Sequence, residues 1–287
     1  VAILVDKNTR VLVQGATGRQ GAYHTLKMLE YDVAVAGGVS PGKGGQQVHG
    51  VPIFDTVAQA KKNADVNAAM ILVPPAGVLT AAMEAIENRI ELIVVVTEFV
   101  PFHDTLKIRA AAAAQNVRVI GPNTVGIISP GKSKVGIMPG FIYSQGNVGM
   151  ISRSGTLTHE IASNLTYRKM GQSTCICIGG DAVKGTDFVD ALKLFRSDPE
   201  TETVVMAGEI GGAGEEMAAE YIRKEGYPKR VIAFVAGATA PPEKRMGHAG
   251  AIISGGFGSA QSKLSLFERA GVMVARGLDE ILEKIME

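Results

Sequence analysis

The stretch Arg10-Val11-Leu12-Val13-Gln14-Gly15-Ala16-Thr17-Gly18-Arg19-Gln20-Gly21 decides the fold. Its first five residues are a short apolar strand, its three glycines space a tight turn, and residues 23–31 have helical periodicity. Strand, glycine turn and helix in that order make an anion site. The first-turn N–H groups of the helix lack acceptors, and its dipole favours negative charge. The spacing is G-x-x-G-x-x-G and not the dinucleotide fingerprint. The acid that would hold an NAD ribose about twenty residues on is absent, because that region reads Val35-Ala36-Gly37-Gly38-Val39. A nicotinamide oxidoreductase is therefore disfavoured.

Outward from this unit the pattern repeats. Apolar strands are expected over 69–73, 92–96 and 117–120, with helical spacing over 78–86 and 106–114 between them. Such alternation builds a doubly wound parallel sheet whose ligand crevice lies at the carboxyl ends of the strands. Thr17, Lys43, Pro74, Thr97 and Glu98 all fall at such ends, within reach of one elongated nucleotide-bearing ligand. Lys43 stands alone among the glycines of Ser40-Pro41-Gly42-Lys43-Gly44-Gly45, where it is either a cation for an extra phosphate or a solvated loop lysine. Residues 127–147 are rich in Pro, Gly and Ser and read as a connection between domains.

The second half restarts the pattern. A strand at 148–151 leads through Ser152-Arg153-Ser154-Gly155-Thr156 into an amphipathic helix, and further strands are expected at 173–178, 203–207, 231–235 and 272–275. Ser154 and Thr156 suit a helix start whose amides face an anion, although Ser and Thr are also ordinary caps. Glu209 sits at a strand end among glycines, in Gly208-Glu209-Ile210-Gly211-Gly212, and His248 lies in Gly247-His248-Ala249-Gly250. An imidazole titrates near neutrality and is able to attack phosphorus and later release it. A carboxylate on one ring nitrogen would orient it.

The composition supports a two-domain chain with ample cores, since 46% of the 287 residues are hydrophobic and 20% charged. A net charge of +1 gives no electrostatic case for nucleic acid or an anionic membrane. Cys175 and Cys177, two apart in an apolar run, share one strand face and are expected as buried reduced thiols. No metal quartet is apparent. No charged leader or membrane-length apolar run is seen, so a cytoplasmic or mitochondrial-matrix setting is expected.

Taken together, these motifs resemble the α subunit of succinate–CoA ligase (succinyl-CoA synthetase), within the NDP-forming acyl-CoA synthetase superfamily, along nearly the whole chain. The matching stretches are Asp6-Lys7-Asn8-Thr9, the turn at 15–21, Pro41-Gly42-Lys43-Gly44-Gly45, the run 151–158, Gly179-Gly180-Asp181, the run 208–212 and the run 245–252. The resemblance implies an α/β chain of three parts. These are an N-terminal Rossmann-like CoA-binding domain over 1–126, a connecting segment over 127–147, and a C-terminal flavodoxin-like doubly wound parallel domain over 148–287.

By the same resemblance, coenzyme A is held at Thr17, Gly18, Arg19, Gln20, Lys43, Val96, Thr97 and Glu98. His248 is phosphorylated, Glu209 positions it, and the helix start at Ser154, Gly155 and Thr156 faces the phosphohistidine. The implied reaction is reversible formation of succinyl-CoA from succinate, CoA and ATP or GTP, with release of NDP and phosphate. The chain has no triphosphate-binding lysine loop. The resemblance accordingly implies an obligate β subunit whose ATP-grasp domain carries the nucleotide and Mg²⁺, as one αβ pair or a doubled assembly.

Some residues depart from the family pattern. His159 stands where a tyrosine is usual, Phe99 where a glycine is, Thr124-Val125 where Cys-Pro or Thr-Pro is, and Ala182 where a proline is. One reading is ordinary variation in a packing shell. The other is that His159 offers a donor to a larger acid, making the chain the α-type subunit of a citrate or malate ligase. A non-catalytic CoA-binding module would need only the first domain, and His248 with its flanks argues against it.

Overall fold

The computed structural model describes residues 2–241, 246–248, 250–253 and 258–287. Seven strands make the first sheet: β1 (Arg10–Gln14), β2 (Ala34–Val39), β3 (Gln47–Val48), β4 (Val51–Phe54), β5 (Ala68–Ile71), β6 (Leu92–Val95) and β7 (Arg118–Ile120). Their order is β3-β4-β2-β1-β5-β6-β7, all parallel except the β3–β4 hairpin. The crossovers are α1 (Arg19–Leu29), α2 (Val57–Asn63), α3 (Val78–Glu87) and α4 (Phe102–Ala114). Val11, Leu12 and Val13 are wholly buried on both faces, as a central strand under helices requires.

The second sheet has the order β14-β13-β12-β10-β11-β8-β9. Its strands are β8 (Gly126–Ser129), β9 (Ser133–Gly136), β10 (Gln145–Ser152), β11 (Gln172–Cys177), β12 (Thr203–Glu209), β13 (Arg230–Ala236) and β14 (Met273–Ala275). Helices α5 (Gly155–Tyr167), α6 (Phe188–Arg196), α7 (Gly214–Glu225), α8 (Ala260–Arg269) and α9 (Leu278–Met286) follow β10, β11, β12, β13 and β14 in turn. The order β11-β10-β12-β13-β14 is the flavodoxin-like winding. Each sheet reverses direction once, between β1 and β5 in the first and between β10 and β12 in the second. Those two reversals are where a ligand crevice opens.

Residues 127–147 are not simply a connection. β8 runs antiparallel to β11 and to β9, so the stretch adds two strands to the edge of the second sheet. Gly136 within it and Gly126 just before it serve close approach. A Cβ at Gly126 would lie 2.1 Å from the Val135 carbonyl oxygen, and one at Gly136 would lie 2.3 Å from that of Val125. Through Ile127 and Val135 the first sheet's core residues Val13, Met70 and Val94 join Ile151, Ile176 and Met206 of the second in one apolar cluster. Cys175 and Cys177 share a face in a separate cluster under α5, as fully buried free thiols. No described helix is long and apolar enough to cross a membrane.

α6 starts at a reciprocal cap. The Asp190 amide donates to Asp187 Oδ1 at 2.9 Å, and the Asp187 amide donates to Asp190 Oδ2 at 3.2 Å. This fixes the entry of a helix that buries Phe188, Leu192 and Phe195. Asp187→Ala removes the first acceptor and is expected to lower the unfolding free energy by about 1 kcal/mol, read from urea denaturation. An unchanged midpoint would contradict this role for the cap.

Candidate functional site

The second reversal carries the histidine. β12 ends at Glu209 and the adjacent parallel strand β10 ends at Ser152, so Glu209, Arg153 and the start of α5 share one end of the sheet. His248 Nδ1 lies 2.7 Å from Glu209 Oε2. The Glu209 side chain is 9% exposed and that of His248 26%. A carboxylate only accepts, so Nδ1 is the donor in this bond and neutral His248 keeps its lone pair on Nε2.

The Glu209 hydrogen bond raises the His248 pKa above the ordinary imidazole value. Burial and the nearby Arg153 charge oppose that rise, and Asp181 adds to it. Gly180 lies against the ring face, where a Cβ would come within 2.5 Å of His248 Cγ and Cδ2. The loop that carries Gly180 is pinned by the first half of the chain. The Gly180 amide donates to the Asn123 carbonyl at 3.2 Å, and Asn123 Nδ2 donates to Asp181 Oδ1 at 3.1 Å. In the matching run 245–252, Arg245 and Ala249 lie outside the described residues.

Behind Glu209 lies a set of buried charges that sequence reading missed. Arg153 Nη2 is 3.1 Å from Glu209 Oε1, close enough for an ion pair although not aligned as a hydrogen bond. Arg153 Nη1 donates to the Gly211 carbonyl at 2.9 Å and to Glu215 Oε1 at 3.1 Å. Glu215 Oε1 also accepts the Glu209 backbone amide at 3.1 Å, and Glu215 Oε2 pairs with Lys263 Nζ. Burial pushes the Glu215 carboxyl pKa up, but Arg153 and Lys263 together outweigh it and hold the group below the ordinary range. In the sequence Arg153 stands between two serines and resembles a solvated turn. The signal was the turn's position, at the end of an apolar strand facing a second strand that ends in Glu209.

α5 is capped by Ser154, whose Oγ accepts the Leu157 amide at 3.3 Å. The Gly155 and Thr156 amides in its first turn have no intrahelical acceptor, which leaves them for an anion. His159 is set apart from this group. Its ring meets Tyr143 edge-on with centroids 6.4 Å apart, burial lowers its pKa, and its Nε2 is buried without a partner among the described residues. Thr124 and Val125 are packing residues. Thr124 Oγ1 donates to the Cys177 carbonyl, and Val125 Cγ1 lies 2.6 Å from where a Cβ at Gly155 would sit.

The first reversal gathers the other predicted residues at the carboxyl ends of β1, β2 and β6. Gly18 caps α1 without a side-chain bond, so the amides that open the helix are free for an anion; Gly18, Arg19 and Gln20 are exposed. Thr17 Oγ1 donates to Ser40 Oγ at 3.0 Å, and the Gly44 amide donates to Asp55 Oδ1 at 2.9 Å, which braces the turn holding exposed Lys43. Lys43 forms no ion pair among the described residues. The Val96 amide donates to the Ile71 carbonyl at 3.2 Å and Thr97 Oγ1 to the Val73 carbonyl at 2.7 Å, with Glu98 exposed beside them. Phe99 has φ 60, a left-handed conformation that accounts for glycine being usual there. The uncapped helix-opening amides, a lysine and two hydroxyls along one crevice fit an extended phosphorylated ligand.

The geometry is matched by known proteins. The CoA binding domain family matches residues 6–99, and the CoA-ligase family matches residues 151–273. The ADP-forming succinate–CoA ligase α subunit 2 of Archaeoglobus fulgidus is 52% identical, covering 100% of this chain and 99% of its own. The corresponding α subunit of Methanothermobacter thermautotrophicus is 50% identical, covering 99% and 96%. Among solved structures, ATP citrate lyase from Methanothrix soehngenii, in complex with citrate and coenzyme A, superposes with a TM-score of 0.88 at 25% identity. That match covers 97% of this chain and 49% of the other, so the chain spans about half of that protein's length. Half of the residues of an ADP-forming α subunit recur here from end to end, and this chain belongs to the succinate–CoA ligase α-subunit family.

Proposed function

We propose that this chain is the α subunit of an ADP-forming succinate–CoA ligase, in which His248 carries a phosphoryl group between nucleotide and acid. The observation that carries the reading is the 2.7 Å bond from His248 Nδ1 to Glu209, which leaves Nε2 as the free nucleophile. Nε2 attacks the terminal phosphorus of a nucleoside triphosphate and NDP leaves. A succinate carboxylate oxygen then takes the phosphoryl group and frees Nε2. The CoA sulfur attacks the resulting acyl phosphate, closing the thioester as phosphate departs. The Gly155 and Thr156 amides at the start of α5 face the phosphorylated ring and stabilise its charge.

In this reading residues 1–126 bind coenzyme A through Thr17, Gly18, Arg19, Gln20, Lys43, Val96, Thr97 and Glu98. Residues 148–287 carry the phosphohistidine, with the 127–147 stretch between them. A β subunit with an ATP-grasp domain supplies the nucleotide and Mg²⁺. His159 against Tyr143 acts in packing, which favours succinate over a larger acid.

The test is to mix the chain with its β subunit and γ-labelled ATP. Wild type is expected to take an acid-labile, base-stable label that His248→Asn does not take. CoA with succinate is expected to discharge it, and CoA with citrate or malate is not. Absence of label with a competent β subunit moves the chain to a CoA-binding module. Discharge by citrate or malate alone reassigns the acid.

Two further outcomes are expected. Gly180→Ala pushes a methyl group into the imidazole and is expected to slow phosphoryl uptake roughly tenfold or more, with CoA affinity by calorimetry unchanged. Wild-type uptake by Gly180→Ala would show that the ring face is not closely held. Neutral His248 is the nucleophile and its pKa is raised, so uptake is expected to fall as pH drops through a value above the ordinary imidazole range. Glu209→Gln removes the main cause of that rise and is expected to move this acid limb to lower pH. An unmoved limb in rapid-quench assays across pH would contradict the assignment.

A further inference from the structure

Four charged side chains stand behind the imidazole with almost no access to water. Exposure of the side chain is 9% for Glu209, 5% for Arg153, 1% for Glu215 and 0% for Lys263. Buried ion pairs seldom add stability beyond what apolar residues of similar volume supply. Stability alone therefore does not account for four of them in one chain. The chain also has a direction. Lys263 donates to Glu215 and, at 2.9 Å, to the Gly211 carbonyl; Glu215 grips Arg153 and the Glu209 backbone amide; Arg153 faces Glu209; and Glu209 bonds His248. Its far end also includes Glu216, 3.3 Å from Lys263.

We propose that Arg153, clamped by Glu215 and Lys263, is the positioning residue that holds Glu209 as an acceptor for His248 Nδ1 and so keeps the Nε2 lone pair free. This rests on the phosphohistidine reading for its purpose, though not for its geometry. Without Arg153, the Glu209 and Glu215 carboxylates lose the cation they share, and one of the pair takes up a proton. A carboxyl proton donated from Glu209 to Nδ1 requires the imidazole proton to sit on Nε2, which removes the nucleophilic lone pair. Among the described residues, the other charge near the ring is Asp181, which raises the His248 pKa; beside it lies Lys184, whose Nζ donates to the Asp181 carbonyl at 2.7 Å. Burial, first, and then Arg153 bring Lys184 down to about 8. Variants at Arg153 are therefore compared at pH 7, below that titration.

The experiment uses the assembled enzyme, with the five histidines of this chain labelled with ¹⁵N. The His248 signals are assigned by their loss in His248→Asn. Wild type is expected to show a protonated Nδ1 and an unprotonated Nε2 in neutral His248. Arg153→Met is expected to move the proton to Nε2 and to slow phosphoryl uptake about tenfold or more, with KM for the nucleotide unchanged. Arg153→Lys is expected to keep the wild-type tautomer and recover part of the rate. Should Arg153→Met not assemble, Arg153→Gln, which removes the same cation but keeps a polar side chain, is read the same way. A wild-type tautomer and rate in a folded Arg153→Met or Arg153→Gln overturns the proposal, whatever happens to Tm. A wild type that takes no phosphoryl group, while its tautomer still responds to Arg153, overturns the ligase reading and leaves the positioning chain standing.

Discussion

The hydrogen bond between Glu209 Oε2 and His248 Nδ1 is the constraint on which the second half of the molecule depends. An imidazole has two similar nitrogens, and only one can be nucleophilic in the neutral ring. Choosing it requires a fixed acceptor on the other, and a carboxylate is fixed only if its own charge is answered. β12 supplies the carboxylate at a strand end, β10 supplies Arg153 at the neighbouring end, and α7 and α8 supply Glu215 and Lys263 behind them. Gly180 then closes on the ring face, where any side chain would displace it.

The two sheets repeat one physical device. Each turns from one winding direction to the other, the first beside β1 and the second beside β10, and each places a helix start in the crevice that results. In the first sheet the helix start is left without a side-chain cap, with a lysine-bearing turn beside it. In the second, Ser154 caps the third amide of α5 and leaves the first two. The crevices are tied together by the Asn123 loop, which leaves the first sheet and bonds Gly180 and Asp181 of the second.

Much of this was legible in the residues. β1 falls where its apolar run ends, and α9 spans Leu278–Met286 as its periodicity requires, because each pattern is bounded by a glycine. Glu209 and His248 stood out because glycines flank both, and a charged group there has no bulk to shield it. The 127–147 stretch misled because its glycines resemble linker residues, although Gly136, opposite Gly126 just before the stretch, lets two short antiparallel strands pair closely. Arg153, Glu215 and Lys263 were invisible because single charges on a turn and on two amphipathic helices look solvated. Only the sheet order brings them to one point.

The most direct measurement is which ring nitrogen of His248 carries the phosphoryl group. With ¹⁵N-labelled histidine in the phosphorylated αβ complex, phosphorus–nitrogen coupling distinguishes the two. Coupling to Nε2, with Nδ1 still protonated toward Glu209, is the expected result. Coupling to Nδ1 would contradict it, because the nitrogen bonded to Glu209 would then be the nucleophile.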